Sequence, residues 1–280
     1  MLRTVWLSLA LCCIPATAWS EQRASTALPN VVILKPPLAI PGLDRQRTIR
    51  LYLPPGYKSS DQRYPVLYMH DGQNLFDDAT SFVGEWGVDE SLDALAVTRK
   101  LELIVVGIDH GGEKRIAELS PWDNPKYGKA EGKAYMEFVV KVVKPYIDSH
   151  FRTLPDRENT AIMGSSLGAL ISHYAIYQYP EIFSKAGLLS PAYWFSAEVY
   201  ALTAARVLPH DTKIYFAVGG REGRDTVDNV KRMVALVRQK SLPQENTFLK
   251  ITPDAEHNET AWRAEFPQAV TWLFGKSEGK

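Results

Sequence analysis

A serine set between two glycines is the stretch of this chain whose spacing carries the most specific chemistry. Gly164-Ser165-Ser166-Leu167-Gly168 is a Gly-x-Ser-x-Gly pentapeptide, preceded by Ala161-Ile162-Met163 and followed by Ala169-Leu170. The pattern reads as a nucleophile elbow, a sharp strand-to-helix turn that leaves the hydroxyl of the central serine, Ser166, exposed to a ligand. Gly164 and Gly168 flank it because the crowded turn has no room for a Cβ. A serine hydroxyl is a poor nucleophile at neutral pH, so it needs a base, and the base needs an orienting carboxylate.

With the order serine, acid, histidine along the chain, the candidate bases are His173, His210 and His257. His173 falls within the helix that starts at Ser166. His210 precedes a strand, which places it at the opposite edge of the sheet. His257 lies between a strand-like stretch and a helical one, where a base belongs. The acid should follow the preceding strand, and Glu222 stands nearest its end. Asp225 is the alternative, since an acid beside a coming helix can cap it instead, and Asp228 lies further on. Attack on a carbonyl creates an oxyanion that preorganised donors must meet. The backbone N–H groups of Leu167 and Gln73 are the candidates, with Gly72 allowing close approach; a simple turn at residues 70–73 is the other reading.

These residues need elements to hold them. Residues 31–34 and 48–53 alternate like antiparallel strands at a sheet edge, the second closed by Pro54-Pro55-Gly56. Residues 66–69, 103–108, 160–163, 186–190, 213–218 and 247–251 read as strands. Residues 87–100, 135–150, 227–239 and 260–274, with the stretch after Ser166, read as helices. Strand and helix alternate throughout the second half, which implies an α/β fold with a mostly parallel central sheet covered by helices on both faces. Residues 111–132 form a long irregular span of the kind that usually serves a site.

The N-terminus opens with Arg3, an apolar run over residues 5–14, and small residues at Ala18 and Ser20. That reads as a secretory signal peptide over residues 1–20, with cleavage after Ala18 as the alternative, and a single domain over residues 21–280. The run is too short to span a bilayer, so no membrane anchor is expected. Both cysteines, Cys12 and Cys13, fall in this segment, so the mature chain would reach a secreted or periplasmic location without a thiol. The 32 basic and 32 acidic residues are well mixed and sum to zero net charge, which leaves no footprint for nucleic acid. Asp71, Asp77 and Asp78 lack calcium-loop spacing and no histidine pair has zinc-ligand spacing, so neither metal nor other cofactor is expected.

Tyr64-Pro65-Val66-Leu67-Tyr68-Met69-His70-Asp71-Gly72-Gln73-Asn74-Leu75-Phe76, read beside the serine motif, resembles the putative esterase family of α/β-hydrolases. That family includes esterase D-like, feruloyl and acetyl-xylan esterases and trilactone siderophore esterases. Residues 105–109, Arg115 with residues 118–121, Ser190-Pro191 with Trp194, and His257-Asn258-Glu259 with Trp262 carry the resemblance across nearly all of the mature chain. It implies an α/β-hydrolase fold and hydrolysis of carboxylic esters by Ser166 and His257, with Glu222 the best match for the acid.

Arg115 and Glu118 could recognise a polar part of a small-molecule or carbohydrate ester, or form a surface ion pair at helical spacing. Tyr193, Trp194 and Phe195 could wall an aryl or sugar pocket or pack in the core, and Trp122 and Tyr127 share that ambiguity. An acyltransferase using the same groups, and a noncatalytic binding protein that keeps the fold, are the competing expectations.

Overall fold

The computed structural model describes residues 23–275, so the signal-peptide segment and both cysteines lie outside the described residues. Among the described residues ten strands form: β1 (Val31–Ile33), β2 (Leu38–Ile40), β3 (Arg45–Arg47), β4 (Ile49–Tyr52), β5 (Val66–His70), β6 (Ile104–Ile108), β7 (Thr160–Ser165), β8 (Lys185–Leu189), β9 (Lys213–Gly219) and β10 (Thr247–Thr252). Eight of them make one sheet in the order β1-β4-β6-β5-β7-β8-β9-β10, and β2 and β3 pair as a separate hairpin. β1 and β4 join antiparallel, and from β6 to β10 every pairing is parallel.

Period-two alternation explains why this sheet is buried on both sides. Tyr68, Val106, Ile162, Leu188 and Phe216 face one core, and Leu67, Val105, Met163, Leu189 and Tyr215 face the other. The first core is closed by α3 (Gly132–Phe138), α5 (Leu167–Gln178) and α7 (Arg224–Lys240), the second by α1 (Val88–Arg99) and α8 (Glu259–Phe274). α7 is amphipathic, burying Val230, Met233, Val234 and Val237 at the 3, 4 and 7 spacing of one helix face. α5 is buried from Leu167 through Tyr177, as expected of a helix apolar nearly all round.

Several boundaries differ from the sequence reading. The helix expected over 135–150 starts at Gly132 and passes through a π-helical stretch, Val139–Val143, before α4 (Lys144–His150). The irregular span contains the short α2 (Arg115–Glu118). α6 (Glu198–Ala205) and the β2–β3 hairpin have no counterpart in the sequence reading. Among the described residues no helix is long and apolar enough to cross a membrane. The loops after β5, β6, β7, β8, β9 and β10 all open at the carboxyl edge of the parallel sheet, where ligands gather in such folds.

Candidate active site

Ser166 links β7 to α5 with φ 56° and ψ −119°, a conformation that non-glycine residues rarely take. Its neighbours hold it there. Its N–H donates to Leu189 O at 3.0 Å, and its carbonyl accepts from Leu170 N and Ala192 N, both at 3.1 Å. A Cβ at Gly164 would lie 2.7 Å from the Gly168 carbonyl carbon, so β7 and α5 can approach only with glycine there. Leu167 is the first residue of α5, and its N–H precedes any intrahelical partner.

The loop after β5 packs against the same helix start, since a Cβ on Gly168 would touch His70 Cβ at 3.3 Å and Asp71 Oδ2 at 3.4 Å. A Cβ on Gly72 in that loop would lie 2.7 and 2.9 Å from the backbone of Gly107 and Asp109, again with no space for a side chain. Gln73 follows, half-buried, its side chain accepting from His110 N and its carbonyl from Thr80 Oγ1. Among the described residues the N–H groups of Leu167 and Gln73 donate to no protein acceptor.

Glu222 and His257 meet directly: the loops after β9 and β10 bring Glu222 Oε2 to 2.7 Å from His257 Nδ1. Glu222 Oε1 accepts from Gly219 N at 2.7 Å and from Ser190 Oγ at 2.5 Å. Burial would push this carboxyl up, but the hydrogen bonds from His257, Ser190 and Gly219 outweigh it and hold its pKa below the ordinary glutamate range. Asp225 instead lies exposed in the first turn of α7. His257 is placed by the helix behind it, because Asn258 caps α8 by accepting from Ala261 N at 3.0 Å. The imidazole side chain is 42% exposed, so water reaches it. His173 is fully buried, bonded to Tyr193 and Thr203, and His210 lies exposed before β9.

Arg115 and Glu118 do not pair with each other. Arg115 donates from Nε and Nη2 to the two oxygens of Asp71 at 2.6 and 2.9 Å, while Glu118, 1% exposed, pairs with Arg45 and Arg47. Burial works against ionised Asp71, but the Arg115 charge prevails and lowers its pKa. Glu259, two residues past His257, has its pKa raised, chiefly by burial. Tyr193 is 2% exposed with its hydroxyl committed to His173, so it is core rather than wall. Trp194 is 57% exposed and meets the edge of Tyr127 at 6.1 Å. Two residues absent from the sequence-level candidates also join the site, Ser190 and Trp262, the indole Nε1 donating to Ser190 Oγ at 2.9 Å. Their signal, Ser190-Pro191 after a strand and a tryptophan five residues past His257, says nothing by itself of a mutual contact. Among the described residues no group of three His, Cys, Asp or Glu side chains could hold a metal ion.

The sequence model of a family described as "Putative esterase" matches residues 40–273. The chain is 26% identical over 244 residues to "Uncharacterized protein YbbA" of Bacillus subtilis, covering 82% of this chain and 94% of that one. It is also 26% identical over 159 residues to an endo-1,4-beta-xylanase/feruloyl esterase of Xylanibacter ruminicola, covering 55% of this chain but only 21% of that longer protein. The enterobactin esterase FES of Shigella flexneri, solved in the presence of enterobactin, superposes with a TM-score of 0.71 at 19% identity over 91% of this chain and 61% of that one. That likeness extends the α/β-hydrolase-like fold to the chain.

Two outcomes follow from this geometry. Gly164→Ala should lose about 1–3 kcal/mol of unfolding free energy in urea, from overpacking against α5; unchanged stability would mean the elbow is looser than described. Because the folded-state pKa of Glu222 lies below its unfolded value, its contribution to stability is present above the ordinary glutamate range and is lost as pH falls through the folded value. Glu222→Gln should therefore flatten the acid limb of stability against pH, and an unaltered slope would contradict that.

Proposed function

Since the chain belongs to the putative esterase family and is a carboxylic ester hydrolase, we propose that it works through an acyl-enzyme on Ser166, with His257 as base and Glu222 as the orienting acid. The observation that carries the reading is the hydrogen bond between Glu222 and His257. An ionised carboxylate only accepts, so His257 Nδ1 carries the proton and Nε2 is left as the basic nitrogen. His257 removes the Ser166 proton as Oγ attacks the ester carbonyl. The N–H groups of Leu167 and Gln73 then receive the oxyanion, and the imidazolium returns the proton to the departing alcohol. Water, activated by the same imidazole, releases the acid. The exposure of His257 lets water reach the imidazole at this step.

The substrate is read as an ester with an aryl or sugar portion, such as a feruloyl or acyl sugar ester or a siderophore trilactone. Supporting this are the exposed Trp194 beside Tyr127 and the Arg115–Asp71 pair near the elbow. Export to a secreted or periplasmic location, directed by residues 1–20, belongs to the same proposal and is checked by the N-terminal residue of the exported protein.

Ser166→Ala and His257→Ala should each lower kcat for a short aryl ester by about ten-thousand-fold or more, with the fold intact by circular dichroism. A fluorophosphonate should label the wild type and not Ser166→Ala. Equal labelling of the two would end the claim on Ser166, and wild-type turnover by His257→Ala would end the claim on the base. Hydrolysis of feruloyl esters, acetylated sugars and trilactones in parallel would separate the substrate classes.

A further inference from the structure

We propose that Ser190 and Trp262 are positioning residues that hold the Glu222 carboxylate in the orientation from which it meets His257. This rests on the reading of Ser166, His257 and Glu222 given above and adds to it what fixes the acid.

Packing alone does not explain the carboxylate's pose. A cavity of about 120 Å³ borders Ser190, Gly219, Glu222 and Trp262, while the Glu222 side chain is only 1% exposed, so enclosure confines the carboxylate without deciding which oxygen faces which donor. Hydrogen bonds must supply the restraint. Gly219 N and Ser190 Oγ both reach Oε1, which leaves Oε2 for His257. A serine hydroxyl can rotate and could point its proton elsewhere, but here it cannot do so freely. Indole Nε1–H is a donor only, so Ser190 Oγ must accept from Trp262 and turn its own proton toward Glu222. The direction of the whole chain, Trp262 to Ser190 to Glu222, is thereby set by one nitrogen.

The backbone at Ser190 is itself constrained. It follows β8 with φ 48°, an uncommon conformation for serine, and its N–H donates to Ala217 O at 2.7 Å. Trp262 is 8% exposed, packed against Trp86 at 5.8 Å, and it presents its ring to His257 edge-on, with centroids 5.0 Å apart and an interplanar angle of 85°. One indole therefore touches the imidazole directly and reaches its carboxylate partner through a single hydroxyl.

The test is a set of kinetic cycles on the full enzyme with a short aryl ester. Ser190→Ala and Trp262→Phe, the latter keeping an aromatic body without the N–H, should each lower kcat about 10- to 100-fold with KM nearly unchanged. Their double variant should fall no further than the worse single. In a Glu222→Gln background, adding Ser190→Ala should cost nothing more, because the hydroxyl acts only through that carboxylate. Fluorophosphonate labelling rates, which do not depend on ester binding, should follow the same pattern. Wild-type kcat in Ser190→Ala, or full additivity with Glu222→Gln, would overturn the proposal while leaving the Ser166 reading in place, even if melting temperatures fall. Should Ser166→Ala and Glu222→Gln themselves keep wild-type turnover, the underlying reading fails and this one with it. If Trp262→Phe does not fold, the Ser190→Ala and Glu222→Gln cycle alone decides.

Discussion

The strained backbone of Ser166 is the constraint on which the rest of the site depends. A conformation of that kind costs on the order of 1–3 kcal/mol and persists only where surroundings over-determine it. Here three backbone hydrogen bonds bring β7, the end of β8, the first turn of α5 and the start of the following loop to a single residue. The glycine contact between Gly164 and Gly168 is the steric side of the same arrangement. Because Ser166 N–H is bound to Leu189 O, the elbow also sets where β8 ends, and so where Ser190 can reach Glu222.

Charge at this edge of the sheet is managed by pairing, with visibly different balances. Asp71 is buried and Asp109 half-buried, and each faces an arginine in a two-point contact, Arg115 for one and Arg50 for the other. For Asp71 the arginine outweighs burial and the pKa falls; for Asp109 burial wins and it rises. His70, buried beneath the elbow loop and bonded through Nδ1 to Tyr135, is pushed down to about 4 by burial and so stays neutral. These groups shape the loop that carries Gln73 without adding net charge beside Ser166.

How much of this was legible in the sequence depended on how local each signal is. The elbow can be read because its two glycines, its strand and its helix lie within a dozen residues. The contact between Glu222 and His257 is within reach for a different reason: in a parallel sheet, loops that follow neighbouring strands open on the same edge, so strand order alone brings them close. Arg115 and Glu118 misled because helical spacing suggests a mutual pair, whereas their partners at positions 71, 45 and 47 are distant in sequence. Tyr193 and Trp194 are adjacent and chemically alike, yet one is core and the other surface, a distinction decided by whether a buried histidine waits for the hydroxyl. α6 was hidden by its length, eight residues being too few for a periodic pattern to stand out.

The pairing of Glu118 has a consequence for how this chain can change over generations. Its carboxylate is shared by Arg45 and Arg47 beneath α2, and Glu131 provides the second negative charge to Arg45. Arg47 and Glu118 are the buried members, and losing one of them strands the other uncompensated, at a cost of about 3–5 kcal/mol. Replacing the set together with apolar groups of similar volume need not carry that cost. Positions 47 and 118 are therefore bound to a common fate, changing together or not at all, while the half-buried Arg45 and Glu131 at the rim can change at lower cost.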